Sequence, residues 1–498
     1  MQEQPASLTR STLTLTAVGL AAQMLGFFYR VVLSRMVGAE TMGLYQLVMP
    51  VYAIFLSLSV NGLTVAVSKL TARYHALGQE DKVSAILALA LRGLVLLWAP
   101  LAGVVVFFRS FIAGSLLGDG RTVLALVLLL PVLLLTGVEN LTKHQFYGMG
   151  EVRLPAGVEL GEQLVRTAAV LLLVGCTRPQ SPEVTVGLIV AGVLVSEVFS
   201  SLSLTLLRGR QKREKASPSP LLVRQIGAVA LPVCCTALLG NLMASANAVL
   251  IPKKLVAAGF SEGDAMSAFG VVFGMTVPML SLPSAFIGAL CLGLVPRLSR
   301  CKARREMNQC GVMIGKAITA ASVIVLPVTA LLATLGPDLG RLLFDHPDVG
   351  GHLLPLTIGV VLGSYESVLA SALNGIDRQF WSAGVSLLCG GVQLLFTLTG
   401  HGLSGFLAGL VAASLLGTAL RWGMVRRWTG LKLDVYTALV APGLSALLTG
   451  LCVRLLYRAL SGGILVLNVG LCTVAGMGLY ALTLSVLGIH PLRLFRLR

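Results

Sequence analysis

Polar and charged side chains follow helical spacing along one face of the first apolar segment of this 498-residue chain. The face consists of Thr12, Thr16, Gly19, Gln23, Gly26, Arg30 and Ser34, whereas the other faces carry Leu, Val, Ala, Met and Phe. A guanidinium keeps its charge, and a bilayer offers it little water. Arg30 must therefore reach the membrane surface, face a water-filled cavity or be paired. Such a polar face predicts contact with protein or water inside the membrane.

The second and seventh apolar segments carry comparable faces. The second has Pro50, Ser57, Asn61, Thr64 and Ser68, and the seventh has Pro232, Thr236, Gly240, Met243 and Asn247. Close helix packing explains the small residues equally well, but the Asn and Gln side chains are bulkier than packing requires. We therefore predict a polar, substrate-binding cavity whose candidate residues are Arg30, Gln23, Asn61, Asn247, Ser57 and Thr16. For Arg30 the alternative is a side chain that extends along its helix to the membrane surface.

Other ionisable residues lie in or beside the apolar segments. Glu162 and Arg166 are four residues apart, and Glu159 shares their helix face. This spacing predicts an internal salt bridge that neutralises buried charge. Glu366, with Asn374 further along, is a weaker candidate for binding a monovalent coupling cation. The remaining ionisable positions of this kind are Arg92, Glu139, Glu197 and Lys316.

The composition places the chain in a membrane. Its mean hydropathy is +0.87 and only 12% of its residues are charged, whereas soluble domains are roughly a quarter charged. The formal charge of +17 would suggest nucleic acid as the partner of a soluble protein. Here it is explained by Lys and Arg in cytoplasmic loops, so we predict no nucleic-acid partner.

The sequence has no motif that would support catalysis. The nine cysteines include no CxxC pair, the six histidines form no HxxxH or HExxH motif, and no phosphate-binding loop is present. The connections are too short to hold an active site of ordinary size. We therefore predict that the protein is not an enzyme and needs no metal or cofactor.

The apolar runs predict an all-α polytopic membrane protein with fourteen transmembrane helices. Basic residues concentrate in alternate connections, so the positive-inside rule predicts a multi-pass protein with both termini in the cytoplasm. The predicted helices span residues 11–35, 45–68, 83–108, 122–141, 155–176, 184–207, 225–250, 266–294, 311–334, 353–373, 381–399, 403–424, 434–457 and 463–488.

The two halves of the chain are similar. Shifting the first half by about 228 residues places Pro50 on Pro278, Lys69 on Arg297 and, within one residue, Gly148 on Gly375. A repeat of six helices keeps its orientation in the membrane, so this is a parallel repeat. The predicted domains are a first six-helix lobe (1–207), a basic linker (208–224), a second six-helix lobe (225–427) and two additional helices (428–498).

Three stretches resemble a known family. They are GFFYRVVLSRMVGAETMGLYQLVMPVYAIFLSLSVNGLTVAVSKLTARY, FYGMGEVRLPAGVELGEQLVR and PSAFIGALCLGLVPRLSR. The first closely resembles the N-terminal signature of the stage V sporulation protein B group. These proteins belong to the polysaccharide and lipid II flippases of the multidrug/oligosaccharidyl-lipid/polysaccharide exporter superfamily.

This resemblance implies a function. Flippases of the family move polyprenyl-pyrophosphate-linked saccharides from the inner to the outer leaflet of the bacterial plasma membrane by alternating access. Arg30 matches an arginine that faces the central cavity and is proposed to bind the anionic head, and the last two helices would form a groove for the lipid tail. The implied partners are a lipid-linked saccharide, membrane lipids, a monovalent coupling cation and cell-wall synthesis proteins. Two alternatives remain: a cation-coupled drug antiporter of the same superfamily, and a membrane scaffold for sporulation or wall synthesis.

Overall fold

The computed structural model describes residues 5–177, 181–209, 219–351, 353–400, 402–460 and 464–489, and all regular structure in these ranges is helical. The helices are α1 (Pro5–Ser59), α2 (Asn61–Ala76), α3 (Glu80–Phe107), α4 (Arg109–Phe111), α5 (Val123–Gly148), α6 (Arg153–Thr177), α7 (Pro182–Gly209), α8 (Pro220–Ala257), α9 (Glu262–Gly270), α10 (Val277–Ala303), α11 (Met307–Phe344), α12 (Leu353–Gly375), α13 (Gln379–Thr399), α14 (Gly402–Thr429), α15 (Ala441–Ala459) and α16 (Leu465–Val486). The predicted all-α fold is confirmed.

The first candidate membrane span is long enough for two crossings and overlaps the first two predicted helices. The described residues contain 13 candidate membrane spans, and the first, Ala17–Ala76, has 60 residues. A helix of this length would measure about 90 Å, three times the hydrocarbon thickness. The backbone leaves helical geometry at Gly38, with φ 78° and ψ 174°, where glycine is needed because other residues rarely adopt positive φ. Divided there, the segment gives two crossings and agrees with the predicted number of transmembrane helices.

The chain forms two compact units, Met1–Gly270 (unit 1) and Val271–Arg498 (unit 2). Helix α8, which the sequence assigns to the second lobe, packs against α1 and α2 in unit 1. Most of the predicted basic linker, 210–218, lies outside the described residues. The lobe boundaries of the sequence therefore stay a prediction.

Equivalent helices of the repeat cross closely within unit 1. A methyl group on Gly43 of α1 would collide with the Met266 carbonyl of α9, and one on Gly270 would collide with the Ala39 carbonyl of α1. One shift along the sequence aligns Ala39 with Met266 and Gly43 with Gly270. The contact is therefore reciprocal, as expected where two copies of a repeat meet on a pseudo-two-fold axis. Glycine at both positions lets the two backbones touch.

A second pair of glycines supports the same register. A methyl group on Gly148 of α5 would lie 2.8 Å from the Ser68 carbonyl oxygen of α2, and one on Gly375 of α12 would lie 3.2 Å from the Val295 carbonyl oxygen of α10. The shift that aligns the two glycines also aligns Ser68 with Val295. The repeat inferred from sequence therefore recurs as the same helix-on-helix contact in each unit.

Candidate functional site

The first helix exposes two of its large polar side chains. Gln23 and Arg30 are seven residues apart, so they lie two turns apart on one face, and both are exposed. Helix α1 instead buries Tyr29 and Leu33. Arg30 takes part in none of the ion pairs formed among the described residues. The structure thus presents a guanidinium and an amide on one face of α1, and the guanidinium has no ion-pair partner among the described residues.

The other positions of the predicted polar face differ in their surroundings. A methyl group on Gly26 would lie 3.5 Å from Gln163 Nε2 of α6, so this position packs against protein. Ser34 is 1% exposed, and its hydroxyl donates to the Val31 carbonyl at 2.9 Å. The side chain of Thr16 lies outside the described residues. Positions that share this helical spacing therefore differ, because some pack against protein and others are exposed.

The candidate Ser57 on α1 is hydrogen-bonded to α8, whereas the hydrogen bond of Asn247 stays within α8. Ser57 is fully buried, donates to the Ala53 carbonyl at 2.7 Å and accepts from Asn241 Nδ2 at 2.5 Å. Asn247 is buried and donates to the Met243 carbonyl at 3.1 Å. Asn61 is half-buried at the start of α2. The sequence analysis missed Asn241, because its partner lies on another helix and the local spacing does not reveal it.

The structure brings together six charged side chains in unit 1, here called the unit 1 charge cluster: Glu139, Lys143, Glu159, Glu162, Arg166 and Glu197. Helix α5 supplies the first two, α6 the next three and α7 the last. Lys143 Nζ lies 3.0 Å from Glu139 Oε1 and 3.9 Å from Glu159 Oε2. Glu159 thus lies near Lys143 of the neighbouring helix.

Arg166 holds the other half of the cluster. Its Nη2 contacts Glu162 one turn away and lies 3.1 Å from Glu197 Oε1. Its Nε donates to the Ser196 hydroxyl at 3.2 Å. One guanidinium therefore bridges two buried carboxylates on adjacent helices, which fixes the distance between α6 and α7.

Unit 2 contains a simpler arrangement. Arg421 of α14 is 4% exposed, and its Nη1 contacts Glu366 of α12, while its Nη2 donates to the Ser386 hydroxyl at 2.6 Å. Gly417, one turn before Arg421, leaves room for this pair. The predicted coupling-cation ligand Glu366 therefore already has a guanidinium beside it, and Asn374 is exposed near the end of α12.

An apolar groove of about 510 Å³ runs between α11, α12 and α15 in unit 2. Its walls include Ala330, Val361 and Leu447, and Arg454 lies among its lining residues. Of the last two helices, α15 lines this groove, whereas α16 packs against α11 and α15. The groove offers an apolar path with one cation, a combination suited to a chain with an anionic end.

The described residues contain no group of three or more His, Cys, Asp or Glu side chains arranged to hold a metal ion. The nine cysteines are free. In the part of the chain that the structure describes, the charged chemistry is therefore that of guanidinium, ammonium and carboxylate groups inside helices.

Comparison with known proteins agrees with this architecture. The chain is similar to stage V sporulation protein B of Bacillus subtilis (strain 168), at 25% identity over 82% of this chain and 80% of that protein. Its fold is similar to that of the lipid II flippase MurJ in an inward closed conformation, with TM-score 0.70 and 11% identity over 95% and 98% of the two chains. It is also similar to an inward-facing multidrug resistance transporter of the MATE family, with TM-score 0.67 and 18% identity over 83% and 99%.

The family model for polysaccharide biosynthesis proteins matches residues 8–300, more than half of the chain. The match includes Arg30, the unit 1 charge cluster and the glycines of the reciprocal crossing. This chain therefore belongs to the polysaccharide biosynthesis protein family.

Proposed function

We propose that this protein is a flippase that moves a polyprenyl-pyrophosphate-linked saccharide from the inner to the outer leaflet of the bacterial plasma membrane by alternating access. The observation that carries the proposal is Arg30, a fixed cation within a membrane-spanning helix, exposed and without an ion-pair partner among the described residues. Such a group binds a diphosphate strongly where water is scarce. Gln23, on the same face, would add hydrogen bonds to the sugar or phosphate.

Two further features support a lipid-linked substrate. The apolar groove along α11, α12 and α15 is large enough to take part of an isoprenoid chain. The relatives include a protein named as a stage V sporulation protein, and the fold is shared with a protein named as a lipid II flippase. In this proposal the head is bound near Arg30 while the tail stays in lipid or in the groove.

The cation-coupled antiporter alternative also fits the fold. A carrier of cationic drugs would be expected to expose carboxylates to its cargo, whereas the exposed group of α1 is a guanidinium. Arg30 therefore favours an anionic cargo. Both termini are proposed to be cytoplasmic, which single-cysteine labelling of intact cells at the ends and in alternate connections would test.

Genetic complementation tests the proposal. Cells depleted of an essential lipid II flippase would receive the wild type, Arg30→Ala, Arg30→Lys or Arg92→Ala. Arg92 is also an exposed arginine in a membrane-spanning helix, so it is the matched control. We expect wild type and Arg92→Ala to rescue, Arg30→Lys to rescue weakly and Arg30→Ala to fail. Failure of a well-inserted wild type would remove lipid II as the cargo, and rescue by Arg30→Ala would remove the role of Arg30.

A further inference from the structure

The unit 1 charge cluster contains more negative than positive charge. Its four carboxylates, Glu139, Glu159, Glu162 and Glu197, face only two cations, Lys143 and Arg166. All six residues lie on helices that are candidate membrane spans. An uncompensated charge inside a membrane protein is costly unless water, another ion or a proton neutralises it.

The excess of negative charge in the cluster is concentrated around Glu197. This residue is 2% exposed, and its two neighbours Glu139 and Glu162 are also buried. Glu197 Oε1 accepts from Arg166, whereas Oε2 is buried without a hydrogen-bond partner among the described residues. A fully ionised Glu197 would therefore bury one uncompensated oxygen next to two other carboxylates.

Among the residues that the structure describes, Arg166 is the cation that acts on Glu197. The charged and titratable groups that act on it or on its partner Arg166 are Glu139 from α5, Glu162 from α6, and Tyr45 and Tyr52 from α1. Thr136 of α5 also acts on the Glu197 carboxyl, but its hydroxyl donates to the Val132 carbonyl at 2.9 Å and accepts from Tyr52 at 3.5 Å. Lys143 is paired with Glu139 instead. Within the described residues, Glu197 therefore has as its compensating cation only Arg166, which it shares with Glu162.

A proton fits this place better than a metal ion. Sodium needs several oxygen ligands without a competing cation, yet Arg166 already contacts both Glu162 and Glu197. The described residues form no cluster suited to a metal. A proton on Oε2 needs only the oxygen itself, and it converts the buried carboxylate into a neutral carboxylic acid.

We propose that Glu197 binds one exchangeable proton and that the unit 1 charge cluster is the proton-coupling site of the transport cycle. The step is the addition of a proton to the Glu197 carboxylate, with no other bond made or broken. It removes one of the two charges that Arg166 bridges, so α7 is held to α6 less strongly in the protonated state. The coupling role rests on the proposed function, whereas the proton-binding chemistry does not.

Infrared spectroscopy tests the proton directly. The full-length protein in lipid nanodiscs would be titrated with acid, and difference spectra would be recorded at the high-frequency end of the carboxyl C=O stretch, where a buried carboxylic acid absorbs apart from the exposed Asp and Glu side chains. The wild type should show a band that shifts in D₂O. Glu197→Gln should lose this band, and Glu159→Gln, which changes the most exposed carboxylate of the cluster, should keep it. A wild type without the band, or a band that survives in Glu197→Gln, would overturn the site.

A transport assay separates this proposal from the proposed function. Proteoliposomes would carry fluorescent lipid II with and without an imposed pH gradient. The proposal expects the gradient to change the wild-type rate by about tenfold, which corresponds to about 1.4 kcal/mol, and to leave a folded Glu197→Gln variant unaffected. Equal wild-type rates with and without the gradient would overturn coupling. A wild type that shows the infrared band but moves no lipid II would contradict the proposed function while supporting the proton site.

Discussion

The two units carry a glutamate at the same position of the repeat but neutralise it differently. Glu139 in unit 1 and Glu366 in unit 2 each lie nine residues before a glycine, Gly148 or Gly375, that packs on a neighbouring helix. Glu366 is paired with one arginine in a balanced contact. Glu139 belongs to a cluster of six charged groups with more acid than base. Carboxylates at equivalent positions of the repeat therefore form an ion pair with one arginine in unit 2 and part of a larger, acid-rich cluster in unit 1.

The difference predicts how each unit responds when its arginine is removed. After loss of Arg421, one Glu→Gln substitution restores neutrality to the unit 2 pair. After loss of Arg166, one such substitution does not restore neutrality to the unit 1 charge cluster. Burial also differs, because the Glu197 side chain is 3% exposed and the Glu366 side chain is 23% exposed. Unit 1 should thus be the more sensitive of the two.

The largest effect is expected for Arg166→Met. This change leaves Glu162 and Glu197 without their shared partner, and breaking a buried pair costs about 3–5 kcal/mol. Thermal unfolding in detergent should show a markedly lower midpoint, with little rescue by Glu162→Gln because Glu197 remains unpaired. Full rescue by that single second change would mean that the cluster acts as a simple pair.

The next effect is expected for Arg421→Met in unit 2. Glu366 would lose its ion-pair partner, at a cost of about 2–3 kcal/mol, because its side chain is partly exposed. The double variant with Glu366→Gln should recover most of the lost stability in the same unfolding assay. Absence of rescue would show that Arg421 stabilises unit 2 through contacts other than Glu366.

A smaller effect is expected from the glycines that mark the repeat. Gly148→Ala and Gly375→Ala each place a methyl group against a backbone carbonyl, and overpacking of this kind costs about 1–3 kcal/mol. Gly19→Ala is the control, since a methyl there would meet no neighbouring atom. Similar unfolding midpoints for all three variants would contradict the close packing of these helices.

The smallest effect is expected for Glu159→Gln. The Glu159 side chain is 38% exposed and lies 3.9 Å from Lys143, which has a closer partner in Glu139. Exposed ion pairs contribute about 0–1 kcal/mol, so the unfolding midpoint should barely change. A large loss of stability would show that Glu159 contributes to the stability of the cluster as strongly as its buried carboxylates do.

The all-α fold, the approximate number of membrane crossings and the repeat register could be expected from the sequence, because hydropathy and helical spacing are local properties. The partners of charged residues could not. The sequence analysis put Glu159 on the helix face of Glu162 and Arg166, but it could not reveal that Glu159 lies near Lys143 of α5. It ended the twelfth predicted helix at residue 424, whereas α14 continues to Thr429 and buries Arg421 beside Glu366. Such partners depend on which helices become neighbours, and one sequence does not contain that information.

The role of Arg30 is tested most directly by lipid II transport with purified protein in liposomes. The wild type is compared with Arg30→Ala and with the matched control Arg92→Ala. Loss of a charge-assisted contact of about 1.5–3 kcal/mol should lower the transport rate of Arg30→Ala by roughly tenfold to a hundredfold or more. Arg92→Ala should transport at the wild-type rate. Equal rates for Arg30→Ala and the wild type, with both proteins folded and inserted, would show that Arg30 does not bind the anionic head of the cargo.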